Sequence, residues 1–392
     1  MQLISTKQFI ACALALILGP ESLLATDKLV LKKIRIGNGP GICAAPVFVA
    51  YEKNFFKEEG LDAEIILADW DFITEGLALG KIDATQSMVM TYLKPIEQGL
   101  DLKFTAGVHK GCMHLLTAKD SSLSKPEDLK GKRIGVQGMG VSPWFFAARV
   151  LGSLGMDIKG DVEWKIYPVA ELKLALEKNE VDAISVLEST GESLLSEGFA
   201  KDIVNSATDA PYKDEYCCVV IVSGQLIRSD PDTAARLTRA ILKAAKWVST
   251  NPQSAAEICV EKKYVSGTVE LNARALVHLN YIPSVEGGAE ATKTAASAMQ
   301  KAGILEASTD LNALVDRAFV RLPTLDDSWL QSVKVEHVDK ISRQQILARA
   351  FDINPNEIFG SAYGKCCSQD VIMSQPPTSG SAWLQTHAAS SR

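Results

Sequence analysis

The 392-residue sequence has no excess of positive charge: 41 Lys and Arg stand against 47 Asp and Glu, for a net charge of -6. It also has no basic stripe with interleaved aromatics, so a nucleic-acid partner is excluded from the reading. Long apolar runs are scarce. The run Phe9 to Leu18, FIACALALIL, is too short to span a bilayer, and no later stretch is long and apolar enough either. Enzyme signatures are missing as well. There is no GxSxG elbow and no HExxH, and GVQGMGVS (135–142) lacks the Lys-Ser/Thr ending of a Walker loop. The same loop fails as a dinucleotide fingerprint, because no acidic residue stands at a strand end about 20 residues later. What remains, 47% hydrophobic and 22% charged, is the composition of a soluble globular protein with length for two or three compact units.

The apolar run follows Lys7 and has the size of a signal-peptide core, with Leu23 and Ala25 at the -3 and -1 positions of a cleavage site. Residues 1–25 are therefore expected to direct export and be removed; an uncleaved anchor is the alternative. The stretch that organises the rest is Arg133 to Ala147, RIGVQGMGVSPWFFA: a strand end, a glycine-rich loop, and a helix with Ser142 as N-cap and Pro143 at its first position. The free amides of such a helix start can seat an anion or a polar ligand group. About 98 residues earlier the chain does the same at Arg35 to Ala50, RIGNGPGICAAPVFVA, with Pro46 at the matching helix start. Each copy leads to a second matching segment, LALGKIDATQS and LALEKNEVDAISV, with Asp83-Ala84 and Asp182-Ala183 at equivalent places. Two tandem α/β units suggest two similar lobes, each aiming a helix N-terminus at a shared cleft.

Strands alternating with helices predict mostly parallel sheets, whose ligands bind beyond the carboxyl ends of the strands. Expected helices are Pro46–Glu58, Phe72–Leu79, Tyr92–Gln98 and Ala170–Lys178, and LLTAKD (115–120) and CCVVIVSG (217–224) read as strands crossing between lobes. Beyond Ser229 the chain becomes helical. Asp230-Pro231 and Asn251-Pro252 are cap-and-proline starts, and Leu237, Ile241, Leu242, Ala245 and Val248 form one apolar side. The domain expectation is a signal at 1–25, lobe 1 at 26–117, lobe 2 at 118–222, a helical return to lobe 1 at 223–338, and a disordered tail at 339–392.

The run APVFVAYEKNFFKEEGLDAEII after IRIG resembles the opening of periplasmic solute-binding proteins of the nitrate/sulfonate/taurine type, as do DLKGKRIGV, PVAELKLALEKNEVDAISV and RLTRAILKAAKWVSTNPQSAAEI. The resemblance covers roughly residues 32–325. It implies a two-lobed periplasmic-binding-protein fold of type II, a "flytrap" with hinge-linked mixed sheets, in an α/β protein that binds a small polar organic solute. It also implies a periplasmic location, ABC permease and ATPase partners in the inner membrane, a monomer, and neither catalysis nor a cofactor. The same superfamily contains the thiamine-pyrimidine synthase-like proteins, which supply a catalytic alternative. Carried over by position, the ligand would meet Gly41, Ile42, Cys43, Asp69, Trp70, Gln86, Ser87 and His109 in lobe 1. In lobe 2 it would meet Gly138, Met139, Gly140, Ser142 and Glu188, with Cys217 at the return. Trp70 or Trp144 would cover its apolar part. If Asp69 and Glu188 both face the cleft, the ligand is cationic, zwitterionic or a hydrogen-bonding ring.

Of eight cysteines, Cys12 leaves with the signal. Cys43, Cys112, Cys217 and Cys218 fall on or beside predicted cleft loops, and His109 and His114 flank Cys112. An oxidising compartment favours a disulfide from one of the vicinal pair to Cys43 or Cys112. The sharper alternative is a soft-metal or thiol-seeking site of Cys43, Cys112, Cys217 and His109, and with it a metal- or thiol-dependent sensor on the same fold. Cys259 is read as core, and Cys366 and Cys367 in the tail receive no role.

Overall fold

Arg35 and Arg133, a repeat length apart, make the same bond in two places. The Arg35 amide and guanidinium both bind the Asp83 carboxylate (2.8 and 3.0 Å), and Arg133 repeats this on Asp182 (2.8 and 2.9 Å). Each pair ties the strand that carries the arginine to the start of the strand two further along the chain. The matching Asp-Ala dipeptides are thus the ends of one duplicated clamp. The computed structural model describes residues 31–348. The expected signal, Cys12, the first residues of lobe 1, Cys366, Cys367 and the tail past 348 lie outside the described residues.

The first unit runs β1 (Lys32–Asn38), α1 (Ala45–Glu52), α2 (Phe55–Glu58), β2 (Leu61–Leu67), α3 (Trp70–Ala78), β3 (Ala84–Met88), α4 (Val89–Glu97) and β4 (Leu102–Lys110). The second runs β5 (Met113–Ala118), β6 (Arg133–Val136), α5 (Ser142–Ser153), β7 (Glu163–Ile166), α6 (Val169–Glu177), β8 (Ala183–Leu187), α7 (Glu188–Ser196) and β9 (Ala200–Asn205). The chain then returns through β10 (Tyr216–Ser223) to α8 (Gly224–Ser229), α9 (Pro231–Thr250), α10 (Pro252–Glu261), α11 (Val269–His278), α12 (Val285–Lys301), α13 (Leu311–Ala318), α14 (Asp327–Ser332) and α15 (Arg343–Ala348).

Two five-stranded sheets result, ordered β2-β1-β3-β10-β4 and β7-β6-β8-β5-β9. They are one topology built twice. In each, the first three strands pair in parallel, and the fourth in the order is antiparallel to both neighbours. That antiparallel strand is the one entered from a crossover, so each sheet is completed by chain arriving from the other. The crossovers are Gly111-Cys112 and 206–215, which corrects the expected boundaries near 117 and 222: β5 already lies in the second sheet and β10 in the first. Gly111 adopts φ +69°, and a Cβ there would stand 2.8 Å from that of Ala207, so the two crossovers pass in contact.

Helix limits differ from expectation for local reasons. Asn54 takes φ 60° and breaks the expected Pro46–Glu58 helix into α1 and α2. Val141, not Ser142, is the N-cap of α5; Ser142 is its first residue, and its hydroxyl lies 3.1 Å from that of Thr91 in α4, across the cleft. Asp230 caps α9 as expected, its carboxylate accepting from the Thr233 amide, and the five apolar residues of that helix are buried. Asn251 precedes α10 without a side-chain cap; its Oδ1 accepts from the Val338 amide instead. The cap comes from Asp339, whose carboxylate accepts from the Gln253 and Ser254 amides at 2.9 Å. With Ile346 buried and the Arg343 guanidinium donating to the Val277 carbonyl (2.6 Å), residues 339–348 are packed structure and not a tail. No helix among the described residues is long and apolar enough to cross a membrane.

Candidate functional site

A cavity of about 320 Å³ lies between the two sheets. Its walls are built by helix starts: Trp70 opens α3, Met88 precedes α4, Val141 and Ser142 begin α5, Val169 opens α6 and Leu187 precedes α7. Five helices therefore turn their positive ends toward one space. Trp70 reaches it because position 39 is glycine. A Cβ there would stand 2.7 Å from the indole, so the ring packs directly against the NGPG loop.

Six of the expected ligand residues line the cavity: Gly41, Cys43, Trp70, Gln86, Ser87 and Ser142. Gln86 donates from Nε2 to the Cys43 carbonyl at 2.6 Å, leaving Oε1 buried without a partner; the Ser87 hydroxyl is likewise buried and makes no hydrogen bond. Tyr281 donates to the same Cys43 carbonyl at 3.0 Å and pins the loop from the C-terminal segment.

The other eight lie elsewhere. Ile42 is packed in the core, Gly138, Met139 and Gly140 form the turn before α5, and Met139 is half exposed. Asp69 is the N-cap of α3, accepting from the Phe72 amide at 2.8 Å. Cys217 borders a smaller cavity beside Tyr212. His109 is fully buried behind the cavity wall. Trp144 does not reach the cavity either; it packs edge-on against Phe145 and Trp164.

Glu188 points inward from the first turn of α7. Its carboxylate accepts from His114 Nε2 (2.7 Å) and His278 Nδ1 (2.9 Å). His114 also donates to Asp202 (2.7 Å), while Glu192 receives His278 (3.2 Å) and Arg274 (2.6 Å). Burial opposes charge on Glu188, yet the charge of His114 and hydrogen bonds from both histidines carry its pKa down to about 2. Burial also opposes a charged His114, but the Glu188 charge and the Asp202 bond lift it to about 10. His278 is raised to about 9 by hydrogen bonds to Glu188 and Glu192. These groups are balanced as ion pairs and join α7 of the second unit to α11 of the C-terminal segment. Among the described residues, no Asp, Glu, Lys, Arg or His side chain lines the cavity. Neither Asp69 nor Glu188 faces the cavity, so the condition on which a cationic, zwitterionic or hydrogen-bonding-ring ligand was expected is not met.

Residues not foreseen include Gln137, Pro168 to Ala170, Thr190, Ser266 and Leu271. The duplication points to the second group, since Val169 opens α6 as Trp70 opens α3, 99 positions earlier. Ser266 and Leu271 come from the return segment, which strand-end reasoning does not reach. Cys218, and not Cys217, joins Cys43 and Cys112 on the cavity wall. The register of β10 explains it: Cys218 stands directly opposite His109 on β4, after an irregularity that follows Tyr216. Hydrogen bonds with the Cys112 and Cys218 thiols hold the Cys43 thiol well below the usual range despite its burial.

A family model described as NMT1/THI5 like matches residues 43–255. The nitrate/nitrite binding protein NrtA of Nostoc sp. is 23% identical over 274 residues, 64% of this chain and 62% of that protein. The chain thus spans less than two thirds of that relative's length. A 4-amino-5-hydroxymethyl-2-methylpyrimidine phosphate synthase of Aspergillus parasiticus is 25% identical over 252 residues, 57% of this chain and 68% of that protein. Among solved structures, the alkanesulfonate-binding protein SsuA of Xanthomonas axonopodis pv. citri, bound to MOPS, superposes with a TM-score of 0.61 at 19% identity. That match covers 74% of this chain and 98% of SsuA. The fold is that of the periplasmic binding proteins, as expected.

Proposed function

The chain belongs to the NMT1/THI5-like family, and on that premise we propose that it is the solute-binding component of an ATP-driven importer. In this reading it is exported, captures one small organic solute between its two sheets, closes about the crossovers, and presents the closed form to a permease in the inner membrane. One observation carries the reading: five helix starts converge on a cavity that holds two buried, unsatisfied polar atoms, Gln86 Oε1 and Ser87 Oγ. A buried polar group left unpaired costs about 1–3 kcal/mol, which a ligand hydrogen bond would relieve. Positive helix ends without a carboxylate disfavour a cation. Trp70, Met88, Met113 and Leu271 offer an apolar seat. The solute class is therefore neutral or singly anionic, with a small apolar body and hydrogen-bonding groups.

The test is calorimetric titration with nitrate, a short alkanesulfonate and a neutral aminopyrimidine, followed by small-angle scattering. A binder should compact the molecule; identical scattering curves with every compound of a broad panel would sink the proposal. For the compound that binds, Gln86→Leu is expected to weaken affinity about tenfold through loss of one hydrogen-bond partner. The Cys43 loop should stay in place in that variant, because Tyr281 still holds its carbonyl. An unchanged dissociation constant would remove Gln86 from the site.

A second reading, catalysis of the pyrimidine-synthase kind, is favoured by the similarity to the Aspergillus enzyme. Against it, the described lining residues include thiols and hydroxyls but no imidazole or carboxylate for proton transfer. Export to the periplasm of the native cell supports the binding reading, whereas retention in the cytosol supports the catalytic one.

A further inference from the structure

Three thiols and one imidazole meet at the hinge side of the cavity. Cys43 comes from the loop before α1, His109 from the end of β4, Cys112 from the first crossover, and Cys218 from β10 just after the second. Their sulfur atoms and one imidazole nitrogen all lie within 4.8 Å of one another, and all three thiols are free. Zinc–sulfur bonds of about 2.3 Å at tetrahedral angles place neighbouring donors about 3.8 Å apart, so the four groups need close in only slightly on an ion.

The histidine is prepared for such a role. Its Nδ1 lies 3.1 Å from the Gly111 carbonyl oxygen, which fixes the ring proton there. Nε2 is then a bare acceptor, and it is buried without any hydrogen bond in a fully buried side chain. A backbone carbonyl on one ring nitrogen and a free lone pair on the other is the arrangement that orients a metal-binding imidazole. Cys112 is held with equal firmness. Its amide donates to the Ser206 hydroxyl of the second crossover (2.9 Å), and its carbonyl accepts from the Glu188 amide (2.7 Å).

We propose that Cys43, His109, Cys112 and Cys218 bind one thiophilic closed-shell metal ion, Zn²⁺ or Cu⁺, at the floor of the cleft. Soft sulfur donors with one imidazole select for these ions over Mg²⁺ or Ca²⁺. Binding replaces thiol protons with metal bonds, the protons passing to solvent, and involves no change of oxidation state. Four protein donors leave no open coordination position, so the ion does not act as a Lewis acid on the solute. It fixes the loop before α1 to both crossovers and thereby sets the wall against which the solute lies. The proposal goes beyond the solute-binding reading and stands or falls separately from it.

The experiment uses the full chain, purified reduced and stripped of metal. It is titrated with Zn²⁺ and, without oxygen, with Cu⁺, each against a chromophoric chelator, and stoichiometry is read by native mass spectrometry. One ion per chain is expected, with the tighter arm identifying the metal. Cys112→Ser and Cys218→Ser should each weaken binding at least 100-fold. Cys259→Ala and a Cys366→Ser/Cys367→Ser double variant should leave it unchanged. Cobalt(II) bound to the unaltered chain gives a readout free of folding effects: a tetrahedral ligand-field spectrum with charge-transfer intensity for three thiolates. Four outcomes would each overturn the assignment: a folded, reduced protein that retains no ion; binding that survives Cys218→Ser; loss in the tail double variant; or a disulfide mapped among these cysteines in protein recovered from its export compartment.

Discussion

Glu188→Ala is expected to lower the unfolding free energy by about 3–5 kcal/mol, measured by urea denaturation at pH 6. The carboxylate is 1% exposed and sits between two imidazoles, each kept charged by it. Removing it strands His114 in the interior with only Asp202, and removes one of the two carboxylates that His278 reaches from α11. The native protein should also show a characteristic pH profile. Glu188 has its pKa depressed to about 2, so its contribution is complete above the unfolded value near 4.3 and is lost as pH falls through 2. His114 and His278 are raised to about 10 and 9, so theirs is complete below about 6.5 and is lost as pH rises through those values. Stability from this network is therefore greatest between about pH 4.5 and 6.5. In Glu188→Ala both limbs should flatten. A variant with native stability and an unchanged profile would mean that the network holds nothing together.

Glu188 also shows where the sequence stops being legible. The glycine loops, the repeat, and the strand-to-helix turns are local signals, and they placed Gly41, Cys43, Trp70, Gln86, Ser87 and Ser142 on one cavity. They said where a loop ends, not which way a side chain turns from a helix start. Ser189 and Thr190 face the cavity, whereas Glu188 turns into the interior to meet two histidines from β5 and α11, distant in sequence. Asp69 was legible as acidic and near the cleft, but its carboxylate caps α3 by accepting from the Phe72 amide. The choice between Cys217 and Cys218 was equally beyond local reading. It depends on an irregularity in the pairing of β10 with β4, and a one-residue change of register moves a side chain to the opposite face. Mixed sheets and two crossing strands were expected, but the strands that β5 and β10 pair with were not legible: pairing partners are set by crossovers, which no single segment encodes.

Gly152→Val should hold the cleft open without touching the solute. Gly152 lies near the end of α5, and a Cβ at that position would stand 2.5 Å from the Cβ of Ala302 and 2.7 Å from its Cα. Ala302 follows α12, which packs on β4 of the first sheet, whereas α5 packs on β8 of the second. Lys301 donates to the Ser153 carbonyl at 3.0 Å across the same contact. The steric conflict thus falls between the two units. It involves backbone on one side, so a rotamer change does not relieve it, but a small rotation about the crossovers does. Overpacking of this kind costs about 1–3 kcal/mol. In the closure proposed above, that cost falls on the form that makes this contact and weakens solute binding about 5–150-fold by lowering its population. The cavity end of α5, at Ser142, is about 15 Å away along the helix, so no ligand contact is altered. Scattering should report a larger radius of gyration with solute present, and urea unfolding of the ligand-free chain should change little. Unaltered affinity with a large drop in stability would place the α5–α12 contact in the fixed core and not in the closure. It would also move the hinge away from Gly111-Cys112 and 206–215.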